Sequence, residues 1–250
     1  MNLNRNDIKY RIEIKEKDNN FKQIYEGNNM NFTVDNLEPN TNYEIRICSV
    51  IKENKGEWTE IQKIKTKELS SAILEESPQK EEFIKKLKEW TEFKKMELIY
   101  RATRDGGDNI NFHNKCDNQG QTLVLCKNDK GNIFGGYASI SWTSNNNGYN
   151  SASGSFLFTL SNIHNIAPTK FQSYNDSNHV YHNTNHGPTF GNGHDLYFYS
   201  NFLNNDNCQS YFPYTYQDNI GKGKSIFTGD LNNNNQYIKL IEMEVFKISK

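Results

Sequence analysis

The chain of 250 residues carries 29 basic and 30 acidic side chains, a net charge of −1, and the basic residues are scattered along the sequence. Nucleic-acid-binding proteins usually concentrate basic residues on one face, so this balance disfavours a nucleic-acid partner. The sequence contains no apolar run long enough to cross a bilayer and no secretion signal. Aromatic residues make up 13% of the chain, enough for a buried core. We therefore expect a soluble intracellular protein of one large or two ordinary β domains.

The first region alternates apolar and charged residues. Ile8, Tyr10, Ile12 and Ile14 are separated by charged side chains, a period of two that predicts a half-buried strand. We expect further strands over Phe21–Tyr25, Asn31–Val34 and Trp58–Thr66.

The segment between the third and last of these strands carries a corner motif. Leu37, Pro39 and Tyr43 precede the alternating Ile45 and Ile47, and this series resembles the fibronectin type III domain. In that family the tyrosine ring packs inward and its hydroxyl bonds back to the backbone. The resemblance implies a β-sandwich of seven strands, of which the sequence offers the last five. We therefore interpret residues 1–67 as a partial fibronectin type III-like domain.

A partial sandwich leaves an edge and part of an inner face uncovered, which favours aggregation. Three explanations are open: a truncated gene, cover by the following domain, or a strand supplied by a partner. We favour the first two, because either of them removes the exposed edge.

Residues 68–95 show helical periodicity. Ser77 and Pro78 suit the start of a helix, where serine can cap and proline is tolerated. Phe83, Leu87 and Trp90, together with Ile84, recur at helical spacing, which predicts an apolar stripe that packs on a sheet. We interpret this segment as a linker and helix that lead into the second domain, 96–250.

The second domain is predicted to be mainly antiparallel β. Asn109 is expected to cap a short helix with Phe112 and Cys116 on one side and His113 and Lys115 elsewhere. The first two strands of the domain, Thr122–Cys126 and Ile133–Tyr137, are predicted to form a hairpin. The other predicted strands are Ala138–Trp142, Phe156–Leu160, Asp195–Tyr199 and Ile238–Phe246.

Four motifs in this region occur in a characteristic order. They begin at Leu98, Phe112, Gly131 and Gly187, and the last one runs from a glycine-rich turn into an aromatic strand. From about Ala72 to Ile248 the series resembles the TLDc domain, the module of oxidation-resistance proteins and of regulators of the vacuolar proton pump. The motif positions are Arg101, Arg104, Asp105, His113, Cys116, Asp117, Gly135, Gly136, Gly187, Pro188, Phe190, Gly191, Gly193 and Asp195.

The TLDc resemblance has consequences for fold and function. It implies an antiparallel β-sandwich flanked by short helices, so that the whole chain is mainly β with two domains. It also implies a non-catalytic protein-binding module without a cofactor, whose partners are vacuolar-type ATPase subunits and which contributes to oxidative-stress resistance. Such a protein is expected in the cytoplasm and at vacuolar or lysosomal membranes through its partner.

The glycines of these motifs are predicted to be small because another part of the backbone or a ring approaches closely. Near Asn192 the TLDc pattern carries more glycine, and asparagine tolerates the same left-handed backbone. Arg101 and Arg104 beside Asp105 are interpreted as an ion pair that fastens a loop rather than as a substrate clamp.

Catalytic alternatives remain open at this stage. Cys116 lies near His113 and Asp117, but a thiolate needs a base within hydrogen-bonding reach. Asp105, Asp117 and Asp195 could converge as in a hydrolase or a carbohydrate-binding β-sandwich. A metal site is the remaining alternative, formed by histidines that we expect in a solvated loop. These histidines are His179, His182, His186 and His194.

Overall fold

The computed structural model describes residues 8–16, 19–34, 37, 41–66, 71–174, 177–203 and 208–250. The chain divides into two compact units, Met1–Ser70 and Ser71–Lys250. Both units are built mainly of antiparallel strands, as predicted.

The first unit is a single antiparallel sheet in its described residues. Its order is β2-β1-β3-β4, and β5 also pairs with β3. Ile12 lies opposite Ile47 and Ile14 lies opposite Ile45, so the apolar residues of the period-two pattern share one face. The strands are β1 (Ile8–Glu16), β2 (Lys22–Gly27), β3 (Asn42–Ile51), β4 (Asn54–Lys55) and β5 (Gln62–Lys65).

Two strand predictions in this unit are wrong. Asn31–Val34 is not a strand, because Phe32 turns back onto the ring of Tyr25 at a centroid distance of 4.6 Å. The last strand begins at Gln62 rather than at Trp58, whose ring stacks on the guanidinium of Arg46 at 4.2 Å. Tyr43 is buried as the corner motif predicts, whereas residues 38–40 of that motif lie outside the described residues.

The described residues of the second unit form five short helices and twelve strands. In chain order they are α1 (Ala72–Glu75), α2 (Lys80–Thr91), β6 (Lys95–Arg101), α3 (Ala102–Asp105), α4 (Asn109–Cys116), β7 (Thr122–Asn128), β8 (Ile133–Ala138), β9 (Gly148–Asn150), β10 (Phe156–Ser161), β11 (Thr169–Phe171), β12 (Val180–His182), β13 (His186–Phe190), β14 (Leu196–Tyr199), β15 (Cys208–Gln209), α5 (Ser225–Thr228), β16 (Tyr237–Ile238) and β17 (Leu240–Ser249).

These strands form a sandwich of two six-stranded sheets. The first sheet has the order β11-β10-β8-β7-β17-β6, and the second has the order β16-β15-β14-β13-β12-β9. Phe190 of the second sheet reaches the backbone of Gly136 in the first, and its ring meets that of Trp142 at 5.4 Å. The core lies between the sheets and is rich in fully buried aromatic rings.

Helix α2 covers the outer face of the first sheet. Phe83 and Leu87 are fully buried, and the ring of Trp90 lies 6.3 Å from Phe156 and 6.0 Å from Phe158. The predicted apolar stripe therefore packs on a sheet. None of the described helices has the length and apolar character needed to cross a membrane.

The predicted start of this helix is wrong. Ser77 Oγ accepts a hydrogen bond from the backbone N–H of Gln79 at 3.2 Å, so Ser77 and Pro78 form a turn before the helix begins at Lys80. Helix α1, which was not predicted, is capped at its first turn by Ser71, whose Oγ accepts a 3.1 Å hydrogen bond from the N–H of Leu74.

The hairpin of β7 and β8 forms as predicted, but two strand boundaries differ. Ala138–Trp142 is not a strand, because β8 ends at Ala138 and the indole N–H of Trp142 turns inward to bond with Thr122 Oγ1 at 2.8 Å. The strand predicted over Ile238–Phe246 is divided into β16 and β17, which belong to different sheets.

The stretch from Gly187 to Pro188 was predicted as a turn and lies instead within β13. The pairing register of β13 with β14 shifts between His186 and Thr189, so the strand bulges there. Proline lacks a backbone donor and is tolerated at a bulge. The sharp turn follows at 191–194, where Gly191 and His194 have φ values of 85° and 58°.

Candidate functional site

The Arg101–Asp105 motif forms a fastened loop. Asp105 accepts hydrogen bonds from the backbone N–H of Arg101 at 2.9 Å and from the guanidinium of Arg104 at 2.7 Å. Burial opposes ionisation of Asp105, but the bonds from Arg104 and Arg101 lower its pKa. The carboxylate is thereby engaged in holding the start of α3 and has the structural role that the sequence suggested.

The side chain of Arg101 binds Glu244, a residue that was not among the predicted site residues. Its Nε donates to Glu244 at 2.8 Å, and Glu244 is completely buried. The same carboxylate accepts bonds from Ser71 Oγ at 2.5 Å and from the N–H of Ala72 at 2.8 Å. Glu244 thus ties the start of α1 to the first sheet. Two glutamates, Glu242 and Glu244, inside the mainly apolar strand β17 were the available signal.

Cys116 does not have the surroundings of a catalytic thiol. It is completely buried, and burial raises its pKa well above the usual value, with the nearby carboxylates of Asp117 and Asp105 adding to the effect. The protonated thiol that results is a poor nucleophile. The four cysteines are all buried and free.

His113 is buried, and its ring lies 5.1 Å from that of Phe112 between centroids. Its Nδ1 lies 2.8 Å from Asp117 Oδ1, and its Nε2 lies 2.9 Å from the carbonyl of His186. The other Asp117 oxygen accepts from the N–H of Ser144 at 2.8 Å. His113 and Asp117 therefore connect α4 to β13 and to the loop after Trp142.

Asp195 combines complete burial with three hydrogen bonds from the backbone. It is completely buried and accepts bonds from the backbone N–H groups of Tyr214 at 2.6 Å, Thr215 at 2.9 Å and Tyr216 at 3.4 Å. Burial raises the pKa of Asp195, and these three donors oppose the rise. Asp195 holds the segment 214–216 against the turn at the end of β13.

The motif glycines lie where the sequence predicts close approach. A Cβ on Gly136 would lie 2.6 Å from the ring of Phe190, and one on Gly187 would lie 2.5 Å from the ring of Phe202. A Cβ on Gly191 would lie 2.9 Å from the carboxyl carbon of Asp195. The left-handed conformation expected at Asn192 is found instead at Gly191 and His194. These contacts explain the small residues by packing.

The predicted carboxylates are not brought together by a shared partner. Asp105 accepts from the guanidinium of Arg104 and the backbone N–H of Arg101. Asp117 contacts the ring of His113 and accepts from the backbone N–H of Ser144. Asp195 accepts from three backbone N–H groups. None of the three carboxylates lines the cavity of about 670 Å³ that lies near Asp129 and Lys239. In a glycoside hydrolase, two carboxylates face one substrate bond. Each of these carboxylates is instead engaged by its own internal donors.

His182 and His186 lie on strands, His179 directly precedes β12 and His194 lies at a turn; two of the four are buried and two half-buried, so the predicted solvated loop is wrong. His179 and His182 have exposed fractions of only 2% and 4%, and His179 Nδ1 accepts from the N–H of Ala152 at 3.0 Å. Strand pairing of β12 and β13 removes them from water, with His186 and His194 half-buried. Within the described residues, no group of three metal-ligating side chains could hold a metal ion.

Lowering the pH from about 7 to 5 is expected to destabilise the second unit through three of these histidines. Burial lowers the pKa of His182, His186 and His194, and His194 and His113 help to bring that of His186 to about 4. The unfolded chain binds protons near its ordinary pKa of 6.5, so this stability is present above that pH and is lost as the pH falls. Urea midpoints measured across this range test the prediction.

His186→Gln provides the control for this pH dependence. The variant is expected to show a shallower fall in its urea midpoint than the unmodified chain, because one buried neutral imidazole has been removed. Parallel profiles for the two proteins would contradict a contribution from His186.

The two units and their sites define a class of protein: a β protein in which an antiparallel sheet precedes a two-sheet sandwich, with the motif residues engaged in packing and internal hydrogen bonds. The family model of the fibronectin type III domain matches residues 4–65. The family model of the TLDc domain matches residues 58–249, which is more than half of the chain, and the chain therefore belongs to the TLDc domain family. Both resemblances stated from the sequence are thus confirmed. A search of curated proteins found no match.

Proposed function

We propose that this chain is a non-catalytic protein-binding module that engages a vacuolar-type ATPase and contributes to resistance to oxidative stress. Membership of the TLDc family supports the proposal. The non-catalytic part of the proposal rests on the burial and internal hydrogen bonding of the motif residues. Cys116 is buried with a raised pKa, and Asp195 is buried under three backbone donors. Both are engaged in structure rather than placed to meet a substrate.

The proposed partner sets the proposed location. A module that binds the pump would work in the cytoplasm and reach vacuolar or lysosomal membranes through that contact. Protection from oxidants would then follow from the protein contact and not from reaction of peroxide with a thiol.

Affinity purification with the full chain as bait is expected to recover subunits of the vacuolar-type ATPase. Gly135→Val, in which the second unit is expected to be unfolded, is the control bait for non-specific adhesion. Recovery of the pump by both baits, or by neither, would contradict the proposed contact.

A second measurement separates contact from chemistry. Cys116→Ala is expected to protect cells against peroxide as well as the unmodified chain does, because the thiol is inaccessible. The purified chain is also expected to consume no peroxide. Loss of protection by a folded Cys116→Ala variant would favour thiol chemistry instead.

A further inference from the structure

The solvent face of the second sheet carries a row of tyrosines built by the strand register. Tyr149 lies opposite Tyr181, which lies opposite Thr189. The same row continues across β14, β15 and β16 through Tyr197, Gln209 and Tyr237. Directly opposed residues point to the same face of a sheet, and the alternate residues Phe190 and Leu196 are buried in the core. The row therefore faces outward.

The rings in this row form a continuous surface. Tyr149 and Tyr181 lie 4.7 Å apart, and the ring of His194 lies 5.5 Å from Tyr181 and 5.0 Å from Tyr197. Tyr197 lies 6.2 Å from Tyr199. We name this surface the tyrosine platform; it consists of Tyr149, Tyr181, His186, His194, Tyr197 and Tyr199.

The two histidines complete the platform between the tyrosines. His186 lies 5.7 Å from Tyr181 and 4.8 Å from Tyr197, so both imidazoles occupy the gap above Thr189. Thr189 is completely buried although it lies in the outward row. Burial lowers the pKa of both histidines, which keeps these rings neutral at neutral pH.

The platform is partly exposed and uncharged. Tyr149 and Tyr199 retain exposed fractions of 41% and 40%. The described strands of this sheet, β9 and β12 to β16, contain no aspartate, glutamate, lysine or arginine. Asn147, Asn185 and Asn192 are exposed on the adjoining loops, and the carbonyl of Asn192 accepts a hydrogen bond from the hydroxyl of Tyr149 at 3.0 Å. An exposed aromatic surface of this kind usually marks an interaction site.

We propose that the tyrosine platform binds a neutral glycan. Pyranose rings present flat C–H faces that stack on aromatic rings, and asparagine amides and tyrosine hydroxyls can bond with sugar hydroxyls. Tyr181 and Tyr197 are separated by two strand spacings, about 10 Å, which is close to the length of two sugars in an extended β-linked chain.

The absence of charge on these strands decides between ligand classes. A nucleic acid or an acidic peptide would require basic side chains to neutralise it. A neutral glycan requires stacking surfaces and uncharged donors and acceptors, which are what this face offers. The proposal concerns the outer face of one sheet and does not depend on the proposed contact with the pump.

Calorimetric titration of the full chain with cellohexaose, xylohexaose, chitohexaose and maltohexaose tests the proposal. We expect at least one of these neutral oligosaccharides to bind, with an affinity that changes little with salt. Tyr199→Ala is expected to weaken binding about tenfold through lost stacking, whereas Tyr199→Phe keeps the ring and should retain most of the affinity.

Phe32→Ala is the matched control outside the platform, because Phe32 lies in the first unit with an exposed fraction of 41%. It is expected to bind the oligosaccharide as the unmodified chain does. No binding of any of the four sugars at about 5 mM would overturn the proposal, as would equal affinity of Tyr199→Ala. If the unmodified chain binds none of the four sugars while a folded Tyr199→Ala variant loses recovery of the pump, the platform is a protein-docking surface instead.

Discussion

Gly135→Val is expected to prevent the second unit from folding. A Cβ at this position would lie 2.9 Å from the carbonyl carbon of Val124, closer still to the carbonyl oxygen, and 3.0 Å from the ring of Phe158. Backbone inside a sheet cannot move aside as a flexible side chain can, and valine adds two further methyl groups. The cost is of the same order as the whole stability of a domain, about 5 to 15 kcal/mol. Circular dichroism and urea denaturation measure the loss.

Gly107→Ala is the matched control for this experiment. A Cβ on Gly107 would meet Leu203 at 3.4 Å, an ordinary van der Waals contact. We expect this variant to unfold close to the unmodified protein and Gly135→Ala to be strongly destabilised. Similar urea midpoints for Gly107→Ala and Gly135→Ala would show that the close approach of the Val124 backbone is not the reason for glycine at position 135.

Asp195→Ala is expected to reduce the free energy of unfolding of the second unit by about 3 to 5 kcal/mol. The carboxylate is completely buried, and its removal leaves the N–H groups of Tyr214, Thr215 and Tyr216 without their acceptor. Each unsatisfied buried donor costs its desolvation energy. The fluorescence of the buried Trp142 can follow the urea transition.

Two further variants separate burial from hydrogen-bond number. Asp195→Asn retains one oxygen as an acceptor and is expected to lose less stability than the alanine variant. Asp230 also accepts from three backbone N–H groups, those of Asn232, Asn234 and Asn235, but on an exposed loop where water can replace it. Asp230→Ala is therefore expected to have a much smaller effect. An equal loss of unfolding free energy in Asp195→Ala and Asp230→Ala would show that burial does not determine the effect at Asp195.

Much of the strand content followed from local sequence pattern. The alternation at Ile8 to Ile14 and the hairpin of β7 and β8 are short-range features that propensity and period define well. The failures lie where tertiary contacts override the pattern. Asn31–Val34 has strand composition but lacks a pairing partner in the described structure, and Trp142 is turned inward by Thr122.

The candidate site was predictable only in part. The glycine motifs were informative because a small residue in an apolar strand implies close approach, which Gly136 and Gly187 show. The burial of His179 and His182 could not be read from an asparagine-rich surrounding that suggests solvent. The tyrosine platform joins residues from Tyr149 to Tyr199, and only the register of separate strands places them side by side.

The position of β17 constrains how the second unit is made in the cell. This strand, Leu240–Ser249, pairs with β7 on one side and β6 on the other, so the last segment of the unit to be translated occupies the interior of the first sheet. Until these ten residues have left the ribosome tunnel, Lys95–Arg101 has no neighbour in the sheet. The first sheet can therefore be completed only after β17 has been made, and until then the edges of β6 and β7 that it covers are exposed.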